Sequence, residues 1–147
     1  MKKVDSLLAD YAFYHRTRGN KACHFIGIPL IMYSLFALLR PVVLLEPLTL
    51  AEILVVVSVA YYLSLDLKLA IGMLAIVSLL DLAAWKTADL RIGIAAMVIG
   101  WILQGIGHAV YEKRSPAFFR NLVHLLVGPL FLLNEVWRVR SITPASA

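Results

Sequence analysis

Three stretches of this chain are predominantly apolar over nearly the length that a lipid bilayer demands. Leu48–Leu65, Leu67–Trp85 and Ile92–Val110 each approach the ~20 helical residues needed to cross a hydrocarbon core of about 30 Å. A further run, Phe25–Leu39, is interrupted by Arg40 and Pro41 and resumes as Val42–Leu45. Inside a bilayer no water is present to satisfy the backbone, so segments of this kind must be helices. Residues 1–147 therefore read as one all-α integral membrane domain, with four transmembrane helices near 25–45, 48–65, 67–85 and 92–110. The hydrophobic fraction of 61% agrees, because ordinary soluble domains are less apolar. Leu122–Leu133 is too short for a crossing and contains Gly128 and Pro129. A C-terminal interfacial or re-entrant helix over about 116–138 is expected there. Val4–Arg18 carries Leu7, Tyr11, Tyr14 and His15 on one stripe, which predicts an N-terminal amphipathic interfacial helix over about 4–18. Lys2 and Lys3 lead into Asp5 and Asp10 with no unbroken apolar core, unlike a cleaved signal peptide. The lone cysteine, Cys23, excludes an internal disulfide.

Charge sets the expected orientation. Lys2, Lys3, Arg16, Arg18, Lys21, Lys68, Lys113, Arg114, Arg120, Arg138 and Arg140 fall on one side of the four spans, against Arg40, Lys86 and Arg91 on the other. The positive-inside rule then places both termini in the cytoplasm, and the pattern suits a bacterial inner membrane. The net charge of +5 follows from this topology and from contact with anionic membrane lipids. Nucleic-acid recognition motifs are absent, and mid-span positions are too apolar to line a transport pore. Glu46, Glu52 and Asp89 read as solvated loop residues, and Asp81 as a structural group or a partner of Lys86.

The four histidines, His15, His24, His108 and His124, all lie at the ends of apolar segments. With four spans, all four reach the cytoplasmic membrane face; with three, His108 would be on the far side. Imidazoles gathered at one depth point to a metal site, and such a donor set suits iron, zinc, copper or nickel. His15 and His24 would oppose each other on one continuous helix, so a break at Gly19–Asn20 is expected between them. Gln104, His108 and Glu112 follow i, i+4, i+8 spacing and share a helical face. Glu112, Asn20 and Gln104 are candidates for orienting imidazoles or handling protons. Ser115-Pro116 predicts a helix restart. His24 and His124 each precede a proline by five residues, Pro29 and Pro129, a faint internal echo. Motifs for nucleophilic hydrolysis are missing. A haem-binding, other metal-binding or non-catalytic helical membrane protein is the alternative class.

Two blocks carry a resemblance to a known family. Tyr14-His15-Arg-Thr-Arg-Gly-Asn20-Lys-Ala-Cys-His24-Phe-Ile-Gly27-Ile-Pro29 is similar to the N-terminal signature of the membrane 2-hydroxy fatty acid dioxygenases, whose fungal members act in phytosphingosine breakdown. The second block is Gln104-Gly-Ile-Gly107-His108, Glu112-Lys-Arg-Ser-Pro116-Ala, Asn121-Leu, Gly128-Pro129-Leu-Phe and Glu135. The resemblance implies an Fe(II)-dependent enzyme that uses O2 to shorten a 2-hydroxy fatty acid by one carbon. His15, His24 and His108 match the family's histidines most clearly. A 2-hydroxy acid can chelate iron through carboxylate and hydroxyl, so three histidines leave one of six positions for O2. His124, as a fourth ligand, must then dissociate, stand aside or force monodentate substrate binding. Arg16, Arg18, Lys113 and Arg114 are candidates for the substrate carboxylate. Chain-length preference and oligomeric state are not encoded in these patterns.

Overall fold

The computed structural model describes residues 3–116 and 122–142. Among them are helices α1 (Lys3–Phe13), α2 (Arg18–Leu39), α3 (Leu50–Leu65), α4 (Leu67–Thr87), α5 (Leu90–Ile106) and α6 (His124–Trp137). A π-helix, Gly107–Glu112, continues α5, and strands β1 (Val43–Leu45) and β2 (Leu48–Thr49) form a small antiparallel hairpin between α2 and α3. Three helical segments are long and apolar enough to cross a membrane: Arg18–Leu39, Leu67–Thr87 and Leu90–Glu112. Helix α3 has 16 apolar-rich residues, about 24 Å at 1.5 Å per residue.

Two polar clasps mark opposite ends of the bundle. At one end, Arg40 closes α2 and donates to Glu52 at 2.9 Å and to Asp81 of α4. At the other, Arg140 reaches Asp66, which joins α3 to α4, and lies 3.7 Å from Asp5 of α1. The Arg40 clasp and the Asp66 turn fit α2, α3 and α4 alternating in direction, and α5 runs antiparallel to α2, with Gly93 beside Ala37 and Gly100 beside Gly27. The clasps also bear on two expectations. Of the readings of Asp81 the structural one holds: it pairs with Arg40 and not Lys86, because five positions along a helix carry a side chain about 140° around its axis. Glu52 is no loop residue: it forms the capping box of α3 with Thr49.

Other boundaries differ from the sequence reading. The break between His15 and His24 falls at Tyr14–Thr17, not at Gly19–Asn20. Thr17 caps α2 by accepting from the Asn20 N–H at 3.3 Å, so α2 starts at Arg18, well before residue 25. It ends at Leu39, and the expected continuation to 45 is strand β1. The buried face of α1 is Val4, Leu8, Tyr11 and Ala12, with Tyr14 and Leu7 less enclosed. The helix restart expected at Ser115-Pro116 falls on 117–121, outside the described residues, as do Lys2 and Arg120. Helix α6 is enclosed by α1, α2 and α4, which buries Leu130–Asn134 consecutively.

The most extensive packing is α2 on α5. In lipid there is no hydrophobic force to press two helices together, so close contact and dispersion must do it. Gly100 allows this. A Cβ there would sit 2.6 Å from Ile31 Cγ1 and 2.9 Å from the Gly27 carbonyl oxygen, and backbone cannot yield cheaply. Gly105, one turn on, has nothing within 4 Å. Gly100→Ala is expected to destabilise the detergent-solubilised protein by about 1–3 kcal/mol through overpacking. Gly105→Ala should instead be neutral or gain ~0.5–1 kcal/mol of helix propensity. Thermal unfolding of the two variants side by side checks this.

Candidate metal centre

Three histidines converge from three elements. His15 stands in the turn between α1 and α2, His24 in the second turn of α2, and His108 in the π-helix. One ligand atom from each lies within 4.8 Å of the others, and all three are 2–4% exposed. Their rings meet edge to face, with centroids 4.4, 4.8 and 5.0 Å apart. Tyr11 stacks flat on His15 at 3.9 Å and holds that ring's orientation.

Hydrogen bonding decides which nitrogens are free. His15 Nδ1 donates to the Tyr11 carbonyl at 2.7 Å, and His24 Nδ1 to the Asn20 carbonyl at 2.9 Å. A carbonyl only accepts, so each Nδ1 bears the proton and each Nε2 keeps its lone pair. Those two Nε2 atoms face each other at 2.9 Å. Two lone pairs so placed repel unless a proton or cation lies between them. Imidazole–metal bonds of about 2.0–2.1 Å at a right angle put two nitrogens about 2.9 Å apart. The donor set therefore fits a metal ion. Burial, reinforced by the neighbouring His24, pushes the His15 pKa down to about 2, which keeps that imidazole neutral and available as a ligand.

Glu112 holds the His15 turn in place. Its Oε1 accepts from the Arg16 N–H, from the Thr17 N–H at 2.9 Å and from Asn20 Nδ2 at 3.3 Å. Glu112 and Asn20 thus position the chain that carries His15 and His24: the Glu112 carboxylate acts through the backbone of the turn, and the Asn20 backbone carbonyl orients the His24 ring directly. The π-helix brings His108 and Glu112 to the same junction. Its wider turn, often found at functional sites, has no signal in the sequence. Gly107 adjoins it so closely that a Cβ would lie 2.4 Å from Asn20 Oδ1.

His124 stands outside the three-histidine group but lines the same cavity. Its Nε2 is 2.8 Å from Asp10 Oδ2, a short contact not aligned as a hydrogen bond. The cavity, of about 230 Å³, begins at Tyr11 and the four histidines and continues between α2, α5 and α6 past Ile28, Met32 and Trp101. Buried polar groups normally find partners. Among the described residues the buried side-chain atoms without one are Asn20 Oδ1, Gln104 Nε2, His108 Nδ1, both His124 nitrogens and Arg40 Nε. All but the last surround this centre. Of the candidate cations, Lys113 and Arg114 line an adjoining cleft that shares Trp101, Gln104 and His108 with the cavity. Arg16 and Arg114 each lie over the Phe13 ring, at 4.7 and 4.8 Å. Arg18 is exposed in the first turn of α2. Sequence reasoning missed Tyr11 and Asp10 as site neighbours. The i, i+4 spacing of Tyr11 and His15 was the available signal for the first.

The sequence pattern described as "Mpo1-like: 2-hydroxy-palmitic acid dioxygenase Mpo1-like" matches residues 1–139. The chain belongs to the Mpo1-like family. It is 35% identical over 136 residues to the 2-hydroxy-palmitic acid dioxygenase MPO1 of Saccharomyces cerevisiae, a match covering 88% of this chain and 77% of the yeast protein. No solved structure matches it. The family match spans both resemblance blocks and all three converging histidines.

Two outcomes are expected. Glu112→Ala releases the His15 turn, so affinity for a divalent transition-metal ion should fall about 10–100-fold in a protein that still folds; equilibrium metal titration with circular dichroism checks this. The second concerns pH. Because the folded-state pKa of His15 is depressed, the unfolded chain binds the extra proton. That contribution to stability is complete above about pH 6.5 and is lost as pH falls toward the folded value. Metal-free protein should therefore melt at lower temperature at pH 5.5 than at pH 7.5.

Proposed function

We propose that this protein is an Fe(II)-dependent dioxygenase that acts on 2-hydroxy fatty acids and releases a fatty acid one carbon shorter. The observation that carries this reading is a set of three buried imidazoles, two with their lone pairs turned on each other, at the head of an apolar cavity. The yeast relative's name supplies the substrate class. His15 and His24 would hold the metal through Nε2, with His108 completing the set. Ferrous iron bound there would supply the electron transfer that lets O2 react with a closed-shell organic substrate. The overall change balances without an organic co-substrate: hydroxy acid plus O2 gives the shortened acid, carbon dioxide and water.

The chain's own residues have separate tasks. The cavity walls take up the alkyl tail and exclude water from the head. Gln104 Nε2 and His124 Nδ1, both buried without partners, offer hydrogen bonds to the substrate's hydroxyl and carboxylate oxygens. Asp10, half exposed and beside His124, gives that imidazole a route for protons to bulk water. Lys113 and Arg114 draw the carboxylate toward His108 from the adjoining cleft. His124 thus serves the substrate and not the metal. Counting α3 as a crossing gives four spans, with both termini and the histidine end on the cytoplasmic side of the membrane.

The test is iron content and O2 uptake of solubilised protein, reconstituted anaerobically with Fe(II) and given 2-hydroxypalmitate. Stoichiometric iron and substrate-dependent uptake are expected. His108→Ala should abolish both, and unchanged turnover in that variant would overturn the assignment. His124→Gln should retain iron while turnover falls by about 10²-fold or more, the usual size of a lost acid–base contribution.

A further inference from the structure

We propose that Leu35 and Met97 act as a length gauge, closing the far end of the cavity against the methyl end of the acyl chain. This rests on the hydroxy-acid reading above and goes beyond it, from the substrate's head to its tail.

The cavity has one polar end. Its histidines, Tyr11 and Gln104 cluster at the start of α2 and the end of α5, and the wall beyond them is Ile, Met, Leu and Trp. Leu35 and Met97 are the lining residues farthest from that head, Leu35 eleven positions after His24 and Met97 eleven before His108. Eleven helical residues advance about 16 Å, close to one leaflet of a hydrocarbon core about 30 Å thick. The depth thus matches a membrane lipid's tail and exceeds what a short hydroxy acid would fill.

Two features make this end a stop. Among the described residues, none that lines the cavity lies past Leu35 on α2 or before Met97 on α5. Methionine is ordinarily a flexible filler, but Met97 packs against the fully buried Ser34, whose hydroxyl donates to the Ile31 carbonyl at 2.7 Å and lies 3.4 Å from Met97 Sδ. A wall at a fixed distance from the reacting carbons discriminates by length. One methylene too many or too few in an apolar pocket changes relative rates by about tenfold or more.

The experiment compares wild type, Met97→Ala, Leu35→Ala and Leu35→Trp across 2-hydroxylaurate, 2-hydroxymyristate, 2-hydroxypalmitate and 2-hydroxystearate. Binding is read independently of turnover. Trp101 lines the cavity one turn closer to the head than Met97, and replacing Trp85 and Trp137 by Phe leaves it as the sole tryptophan. The alanine variants should shift the preferred substrate to a longer homologue, and Leu35→Trp to a shorter one, each changing the ratio between neighbouring homologues about tenfold. Bromine at the methyl end of 2-hydroxypalmitate should quench Trp101 more strongly than the unlabelled acid does. An unchanged length order in all three variants, with turnover intact, overturns the gauge and leaves the dioxygenase standing. Length-ordered binding that shifts in the variants without O2 uptake in wild type supports the gauge and overturns the dioxygenase.

Discussion

The contact between α2 and α5 governs what the rest of the molecule can do. His24 is on one of these helices and His108 on the extension of the other, so their separation is set by how near the two backbones come. Lipid offers no hydrophobic gain for bringing them together, and the approach depends on the absence of side chains at the seam. Gly100 meets the Gly27 carbonyl there, and Gly107 meets Asn20 beside His24. The same seam forms one side of the cavity. A single packing interface therefore determines the spacing of the donors and the course of the cavity that leads from them.

Polar side chains in this bundle divide into two kinds. Those far from the histidines are paired: Arg40 with Glu52 and Asp81, and Arg140 with Asp66 and Asp5. These side chains are mostly half-buried at the ends of the bundle, where pairing reduces the cost of partial desolvation. Around the histidines the rule is relaxed, and atoms of Asn20, Gln104, His108 and His124 are buried without partners. Apart from Arg40 Nε, the buried side-chain atoms left open among the described residues all lie around the histidines. Their openness is explained if a metal and a polar substrate head complete them. Glu112 links the two kinds, since it neutralises backbone N–H groups of the His15 turn and so holds the open set in register.

Much of the site was legible because imidazoles are rare and costly in apolar sequence. Four histidines at segment ends mark one candidate site, the family resemblance singles out His15, His24 and His108, and the geometry brings those three together. The fourth was harder to place. His124 sits at the start of α6, and whether its nitrogens join the cluster depends on how deeply that helix is drawn between α1, α2 and α4. An apolar dozen residues reads the same whether it lies on a surface or is enclosed. Glu112 was legible as a site residue by its spacing from His108, but its partners are backbone groups of residues more than ninety positions earlier, which spacing along one helix does not reveal.

The sequence by itself determined the class of fold and the chemistry to look for: apolar runs of bilayer length compel helices, and imidazoles at the ends of those runs are the candidate metal donors. The Thr49–Glu52 capping box joins residues only three apart, a local signal that the reading of Glu52 as a loop residue passed over. Only the tertiary structure decided where α2 begins, which partner Asp81 takes, that α5 widens into a π-helix at Gly107, and which nitrogen of His15 and His24 is free. Each of those depends on contacts between residues distant in the chain, in helices whose lateral packing in lipid is decided by close steric fit. Periodicity says which face a residue is on; it does not say what that face will meet.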